Sequence, residues 1–131
     1  MTTEIEAIVL TAVRFSDTAY MIHVYSDLFG SLSLRVSRPA GRKTAGGARA
    51  LFIPLSVIRT TIDYRSTREV FIPRGTTIVR LLSAPGVDPS ANALALFATE
   101  LLHRLLRSAS PDRALYGYIS ESLADLDRIS D

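Results

Sequence analysis

Cysteine is absent from the 131-residue sequence. A disulfide framework, thiolate metal ligands and a cysteine nucleophile are therefore excluded. Histidine is scarce as well, because His23 and His103 are the only two and lie far apart in the chain. Neither histidine has a partner at metal-ligand spacing, so we predict no metal site. Residues 41–44 lack the upstream glycine of a phosphate-binding loop, and we predict neither a cofactor nor an enzyme.

Long hydrophobic runs and a targeting segment are also missing. Residues 1–6 are acidic and lack the positive region that begins a signal peptide, and no apolar run could cross a bilayer. We therefore expect a cytoplasmic protein without membrane contact. With 47% hydrophobic and 21% charged residues, the chain can bury a core. Its length suits one domain, or a small domain with an attached helical piece.

Positive charge is unevenly distributed along the chain. Residues 1–80 carry eleven Arg or Lys against six Asp or Glu, whereas residues 81–131 carry four against seven. The densest stretch, residues 35–49, holds five cations and no acid, and its proline and glycines interrupt regular structure. We predict a cationic loop whose guanidinium groups could bind phosphates. A solvated loop that only keeps the chain soluble fits the same composition.

The first eighty residues show the patterns of β-strands. Residues 5–14, 19–25 and 31–37 predict three strands, the last two forming a hairpin with Gly30 in its turn. The third strand alternates, which predicts Leu32, Leu34 and Val36 inside and Ser33, Arg35 and Ser37 outside. Further strands are predicted at 50–65, 69–72 and 76–82, with Pro54 at a bulge or edge. Five or six short strands predict a small closed or nearly closed barrel.

The rest of the chain shows helical spacing of apolar residues. Asp88 and Pro89 are typical of a helix start, and a second helix is predicted from Ser110-Pro111-Asp112. We predict an α+β fold: a small OB-fold β-barrel at residues 1–82, followed by an antiparallel helix pair at residues 88–131. The helix pair is expected to pack on itself or on the barrel through Leu101, Leu105, Leu115, Ile119 and Leu123. Any bare apolar face would favour self-association.

Cations and aromatic rings in the barrel point to nucleic acid. Barrels of the OB type bind single strands through a cationic groove and aromatic stacking platforms. The candidate DNA-binding residues are Arg14, Arg35, Arg38, Arg42, Lys43, Arg49, Tyr25 and Phe29. A Tyr or Phe in a strand is usually a core residue, and that alternative stays open for both rings. Arg65, Arg68 and Arg74 are weaker candidates, since Glu69 or Asp63 could pair with some of them.

The order of these motifs resembles the N-terminal part of the RecO family of recombination mediators. The similar segments are EAIVL (6–10), FSDT (15–18), VYSDLFG (24–30), the basic run 38–43, ALFIPL (50–55), FATELL (97–102), and later Leu115, Tyr116 and Leu123. The resemblance implies an OB barrel followed by a helical domain. It also implies binding of single- and double-stranded DNA, strand annealing, association with the nucleoid, and work with RecR and single-strand-binding protein.

The family continues past this point with more helices and, in many members, a zinc-binding cysteine cluster. This chain stops at Asp131 without cysteine, so a fragment and a short paralogue both remain open. The alternative function is a protein-interaction adaptor that does not bind DNA directly. In that interpretation, the helix pair docks a partner or another copy of the chain.

Overall fold

The computed structural model describes residues 1–37, 52–81, 89–106 and 110–129, except for the side chains of Phe15, Ala91 and residues 126–129. Six strands and two helices are found in these ranges. In chain order they are β1 (Thr2–Ser16), β2 (Ala19–Ser26), β3 (Gly30–Ser37), β4 (Val57–Asp63), β5 (Val70–Phe71), β6 (Arg74–Arg80), α1 (Pro89–Leu106) and α2 (Arg113–Ile129). The α+β class is confirmed.

The strand order is β5-β3-β2-β1-β4-β6, with all neighbours antiparallel except β3 and β5. The two strands at the ends of this order, β5 and β6, are separated only by Ile72 and Pro73. One interrupted run of chain therefore pairs with β3 through its first part and with β4 through its second. This arrangement wraps the sheet into the OB-fold barrel.

The barrel interior follows the predicted alternation. Leu32 and Leu34 are buried, Val36 is partly buried against the core, and Arg35 and Ser37 are exposed. Ser33 is only partly exposed because it contacts His23. The hairpin of β2 and β3 is confirmed, and Gly30 in its turn has φ 73°, as a left-handed position requires.

Both faces of β1 are buried along its central residues. Ile5, Ala7 and Val9 enter the barrel core, whereas Ile8 and Leu10 face outward beneath the helices. A register shift between Val9 and Thr11 lets the strand bend at this point. A strand buried on both faces positions the helical segment against the barrel.

The strand predicted at residues 50–65 is wrong in its first part, because β4 begins only at Val57. Ile53 O accepts the Ser56 N–H at 3.0 Å, and Leu55 has φ 70°. This is a turn of type II, with Pro54 at its second position. Leu55 accepts the unfavourable backbone because its side chain is buried and its N–H donates to Val9 O at 2.7 Å. Residues 50 and 51 lie outside the described part of the chain.

The helices pack on the outer face of the barrel through Ala95, Leu106, Tyr116, Ile119 and Leu123. The predicted packing of Leu101 and Leu105 is wrong, because both are exposed, Leu105 by 67%. The apolar stripe of α1 is wider than the surface it covers, and only one edge of it faces the barrel.

The start of α2 agrees with the prediction, because the helix begins at Arg113, directly after Ser110-Pro111-Asp112. Asp112 caps the helix, since its Oδ1 accepts the Leu115 N–H at 3.0 Å. Asp88, the predicted cap of α1, lies outside the described residues. The division into a barrel domain at 1–82 and a helical domain at 88–131 stays a prediction.

Candidate nucleic-acid interface

A cleft of ≈ 750 Å³ lies where β5 and β6 close the barrel. Its lining includes Arg35, Asp63, Arg68, Ile72 and Arg74. Parallel pairing of β3 with β5 ends at Leu34 and Phe71, so Arg35 follows directly on one side and Ile72 on the other. Arg74 opens β6 opposite Thr61 of β4. The barrel closure therefore places three arginines from distant parts of the sequence around one opening.

The charge of this cleft is positive on balance. Arg35, Arg68 and Arg74 are exposed, and within the described residues neither Arg68 nor Arg74 forms an ion pair. Asp63 is offset by the Met1 ammonium group at 2.6 Å and by Arg65 at 3.5 Å. Hydrogen bonding to this ammonium, and its charge, lower the pKa of the Asp63 carboxyl. The single acid of the lining therefore remains ionised but largely compensated.

Apolar side chains border the same cleft. Ile72 is 65% exposed and precedes Pro73, which fixes the backbone beside it. Phe71, which lines the cleft, belongs to a row of three rings whose other two members, Phe29 and Tyr64, pack against the barrel core and are not in the lining. The centroids are 3.7 Å apart between Phe29 and Tyr64 and 5.6 Å apart between Tyr64 and Phe71. Phe29 was predicted to stack on a base. One face of its ring already contacts Tyr64, so any base would have to use the other face, and its role stays a prediction.

Tyr25 is wrongly assigned as a stacking platform. Its side chain is fully buried beneath the helices, and its hydroxyl donates to Ser110 O at 3.2 Å. Burial raises the pKa of Tyr25, and the charge of Asp112 adds to that shift. The tyrosine faces outward from β2, but α2 and Ser110, in the segment before it, cover that face. It is a packing residue between the barrel and the helices.

Arg14 does not line the cleft. It is exposed near the end of β1 and pairs with Asp17 at 3.2 Å. The loop candidates Arg38, Arg42, Lys43 and Arg49 lie outside the described residues. The segment that carries them joins Ser37, at the end of β3, to Phe52. Of the predicted residues, the described structure therefore places only Arg35 in the cleft.

Arg68 and Arg74, the weaker candidates of the sequence analysis, line the cleft together with Arg35. Among the described residues, the predicted pairing with an acid is found for Arg65, which contacts Asp63, but not for Arg68 or Arg74. Their positions depend on which strands meet at the barrel closure. The parallel pairing of β3 with β5 is a long-range contact without a local sequence signal. The short run 69–72 was the available signal that a strand begins there.

A second polar site joins the helices to the barrel. The Tyr116 hydroxyl donates to Glu6 at 2.8 Å, and burial, this hydrogen bond and the charges of Glu6 and Asp27 raise the pKa of Tyr116. Arg80 donates to the Ser120 carbonyl and hydroxyl oxygens, each at 2.8 Å. These bonds fix α2 and leave little for a ligand to bind.

Across the described ranges, no three or more His, Asp or Glu side chains are clustered as a metal cage. Within those same ranges, neither helix is long and apolar enough to cross a membrane.

The closed strand order and the cleft at the barrel closure define an OB-fold protein. No family model matches the chain. It is 34% identical over 121 residues to the DNA repair protein RecO of Bacteroides fragilis, an alignment covering 92% of this chain and 49% of that protein. The RecO protein of Phocaeicola vulgatus is 32% identical over 121 residues, covering 92% and 49%. That of Porphyromonas gingivalis is 28% identical over 124 residues, covering 94% and 51%. The chain belongs to the RecO family and corresponds to its N-terminal domain. It spans about half the length of the curated relatives that it matches.

Proposed function

We propose that the chain acts in DNA repair and recombination by binding DNA strands along the cleft at the barrel closure. The observation that carries the proposal is the convergence of Arg35, Arg68 and Arg74 on one opening. Two of these guanidinium groups are not engaged by acids within the described residues, so they are available to phosphate oxygens. The relatives' name, DNA repair protein RecO, supports the same process.

The mechanism requires no covalent chemistry. Arginine forks bind the sugar–phosphate backbone and release its condensed counterions. Backbone contacts leave the base edges exposed, and an exposed strand can pair with a complementary one. The basic segment 38–49 begins directly after β3, close in the chain to Arg35, and would extend the cationic surface. We therefore propose strand annealing without catalysis, in the cytoplasm and close to the nucleoid.

Salt-dependent binding tests this proposal. A labelled single-stranded oligonucleotide is titrated by fluorescence anisotropy over about 50 to 200 mM salt. Three phosphate contacts predict a slope of roughly −2 for the logarithm of affinity against the logarithm of salt, and the basic segment would steepen it. Duplex DNA is titrated in parallel, and annealing of complementary labelled strands is followed separately. Absence of binding, or binding without salt dependence, would remove DNA as the ligand.

A second candidate function is favoured by the bare face of the helices. Leu94, Leu96, Phe97, Leu101 and Leu105 of α1 are exposed, together with Tyr118 of α2. An apolar face of this kind marks protein interaction sites. In this alternative the chain is an adaptor, and RecR, single-strand-binding protein or a second copy would be its partner. Salt-insensitive self-association without DNA affinity would favour it.

A further inference from the structure

Exposed apolar side chains lie among the arginines of the cleft. Ile72 is 65% exposed, Val70 is 37% exposed, and both belong to the cleft lining. Arg35, Arg68 and Arg74 belong to the same lining. Phosphate binding explains the arginines, but it does not explain why apolar side chains are presented beside them. A ligand that covers both must combine negative charge with an apolar surface.

The short strand β5 determines which of its side chains face the cleft opening. Phe71 is buried in the barrel core, and because side chains alternate along a strand, Val70 and Ile72 face outward on either side of it. Parallel pairing places Leu34 opposite Phe71. The next positions are the exposed Arg35 on β3 and the exposed Ile72 after β5. A cation and an apolar side chain therefore adjoin on one outer face.

Ile72 has little conformational freedom for a side chain on the surface. Its β-branched side chain has few rotamers, and the following Pro73 restricts the backbone of Ile72 to extended conformations. A group that is already fixed loses little entropy when it meets a ligand. Ile72 is therefore better preorganised for binding than the long arginine side chains around it.

We propose that Ile72, supported by Val70, packs against the faces of unpaired bases and gives the cleft a preference for single strands over duplex. The inference rests on the proposed function, because the arginines must bind the backbone at the same time. In an unpaired strand, each base has a face that a side chain can cover. A duplex keeps those faces stacked, and it must be unstacked before an apolar side chain can enter. Phosphates are present in both, so the arginines do not distinguish the two, whereas Ile72 does.

Salt separates this apolar contact from the phosphate contacts. Each phosphate contact adds to the salt dependence of the affinity, because it releases condensed counterions. An apolar contact releases none, so it should contribute equally at every salt concentration. Ile72→Ser should therefore weaken single-strand binding about tenfold throughout a salt series, with an unchanged slope, in keeping with the value of one stacked base.

The direct test compares three labelled probes with the full chain by fluorescence anisotropy. The probes are a single strand, an abasic strand of the same length and charge, and a hairpin duplex. Ile72→Ser should lose about tenfold affinity for the single strand, but less than about twofold for the abasic strand and the duplex. The unaltered chain should bind the abasic strand at least about tenfold more weakly than the single strand. Equal losses on all three probes, or no loss on the single strand, would overturn the inference.

A second variant and a control sharpen the test. Ile72→Phe places a flat ring at the same position and should strengthen single-strand binding about threefold, with no gain on the abasic strand. Val13→Ser changes a β-branched residue that is 51% exposed and lies outside the cleft lining, so it should leave all three affinities unchanged. Circular dichroism checks that each variant folds. A loss in Val13→Ser as large as that in Ile72→Ser would also overturn the inference.

The same measurements separate this inference from the proposed function. If the unaltered chain binds DNA with a salt slope and Ile72→Ser binds equally well, the cleft contacts the backbone alone. The inference is then wrong and the proposed function stands. If none of the three probes binds, both are wrong.

Discussion

The outer face of the barrel beneath the helices and the cleft at its closure are built in opposite ways. On the covered face, Tyr25, Tyr116 and Arg80 each have a hydrogen-bond partner across the interface. In the cleft, Arg68 and Arg74 have no ion pair among the described residues, and Ile72 is mostly exposed. These three side chains of the covered face bind partners within the protein, whereas the guanidinium groups of Arg68 and Arg74 are left to solvent.

This difference separates stability from binding. Buried side chains with satisfied polar groups contribute to folding, and their loss leaves cavities or orphaned atoms. Exposed arginines contribute little to folding, because water already solvates their charge. A DNA phosphate backbone bound in the cleft would interact with these exposed arginines, but not with the side chains of the covered face. Variants on the two sides should therefore affect different measurements.

The largest effect is expected on the covered face. Tyr25→Ala should lower the free energy of unfolding by about 3–5 kcal/mol, because it removes a fully buried aromatic side chain. Tyr25→Phe is the matched control and should cost only about 0.5–1.5 kcal/mol, for the lost hydrogen bond to Ser110. Urea unfolding measures both values. If Tyr25→Phe kept its stability but lost DNA affinity, the Tyr25 hydroxyl would belong to the binding surface after all.

The next effect concerns the cleft. Replacing Arg35, Arg68 and Arg74 together with Ser should flatten the salt slope by about two units and weaken DNA binding by about two orders of magnitude at 0.1 M salt. The melting temperature should hardly change. The same loss of slope is predicted for Arg38, Arg42 and Lys43 replaced together, provided that the segment touches phosphates.

The matched control for overall charge is the triple replacement of Arg59, Arg104 and Arg113 with Ser. All three lie outside the cleft lining, and the change in net charge is the same. Arg59 and Arg104 are engaged by Glu4, Glu6 and Glu100. An equal loss of affinity in this control would mean that net charge, and not the cleft, attracts DNA.

Sequence patterns predict much of the barrel core, but they do not predict which residues line the cleft. The alternation in residues 31–37 predicts the buried Leu32 and Leu34, because a strand offers only one consistent register. The same periodicity places Tyr25 on the outer face, yet it cannot say that α2 covers that face. The cleft depends on which distant strands close the barrel, and no local pattern encodes that pairing. The ring contact between His23 and His103 illustrates the same limit, because only the tertiary fold brings the two residues together.

The third prediction returns to the covered face at one polar contact. Arg80→Ala removes two hydrogen bonds to Ser120 and should cost about 2 kcal/mol of unfolding free energy, since bonds from charged donors are worth about 1.5–3 kcal/mol. Hydrogen exchange should quicken in α2 before it does in β2. DNA affinity at moderate salt should stay within about fivefold of the unaltered chain, the value of one phosphate contact. A much larger loss would place Arg80 on the DNA surface.

The smallest effect is expected at Asp63. This residue lines the cleft but, like the side chains of the covered face, has partners within the protein. Its carboxyl lines the cleft, but the Met1 ammonium and Arg65 hold it in an ion pair, and its pKa is lowered mainly by the ammonium. A lowered folded-state pKa means that the pair stabilises the fold above the unfolded pKa, and that this contribution disappears as the pH falls through the folded value. Asp63→Asn should therefore flatten the acid side of a melting-temperature profile measured from about pH 5 downward.

In DNA binding near neutral pH, removing Asp63, the one acid of the cleft, should raise affinity by at most about fivefold, the value of a single charge at 0.1 M salt. Asp17→Asn, at a more exposed ion pair outside the cleft, is the control and should leave affinity unchanged. If the two substitutions raised DNA affinity equally, the electrostatic attraction would be spread over the whole barrel, and the contrast between the covered face and the cleft would not explain where DNA binds.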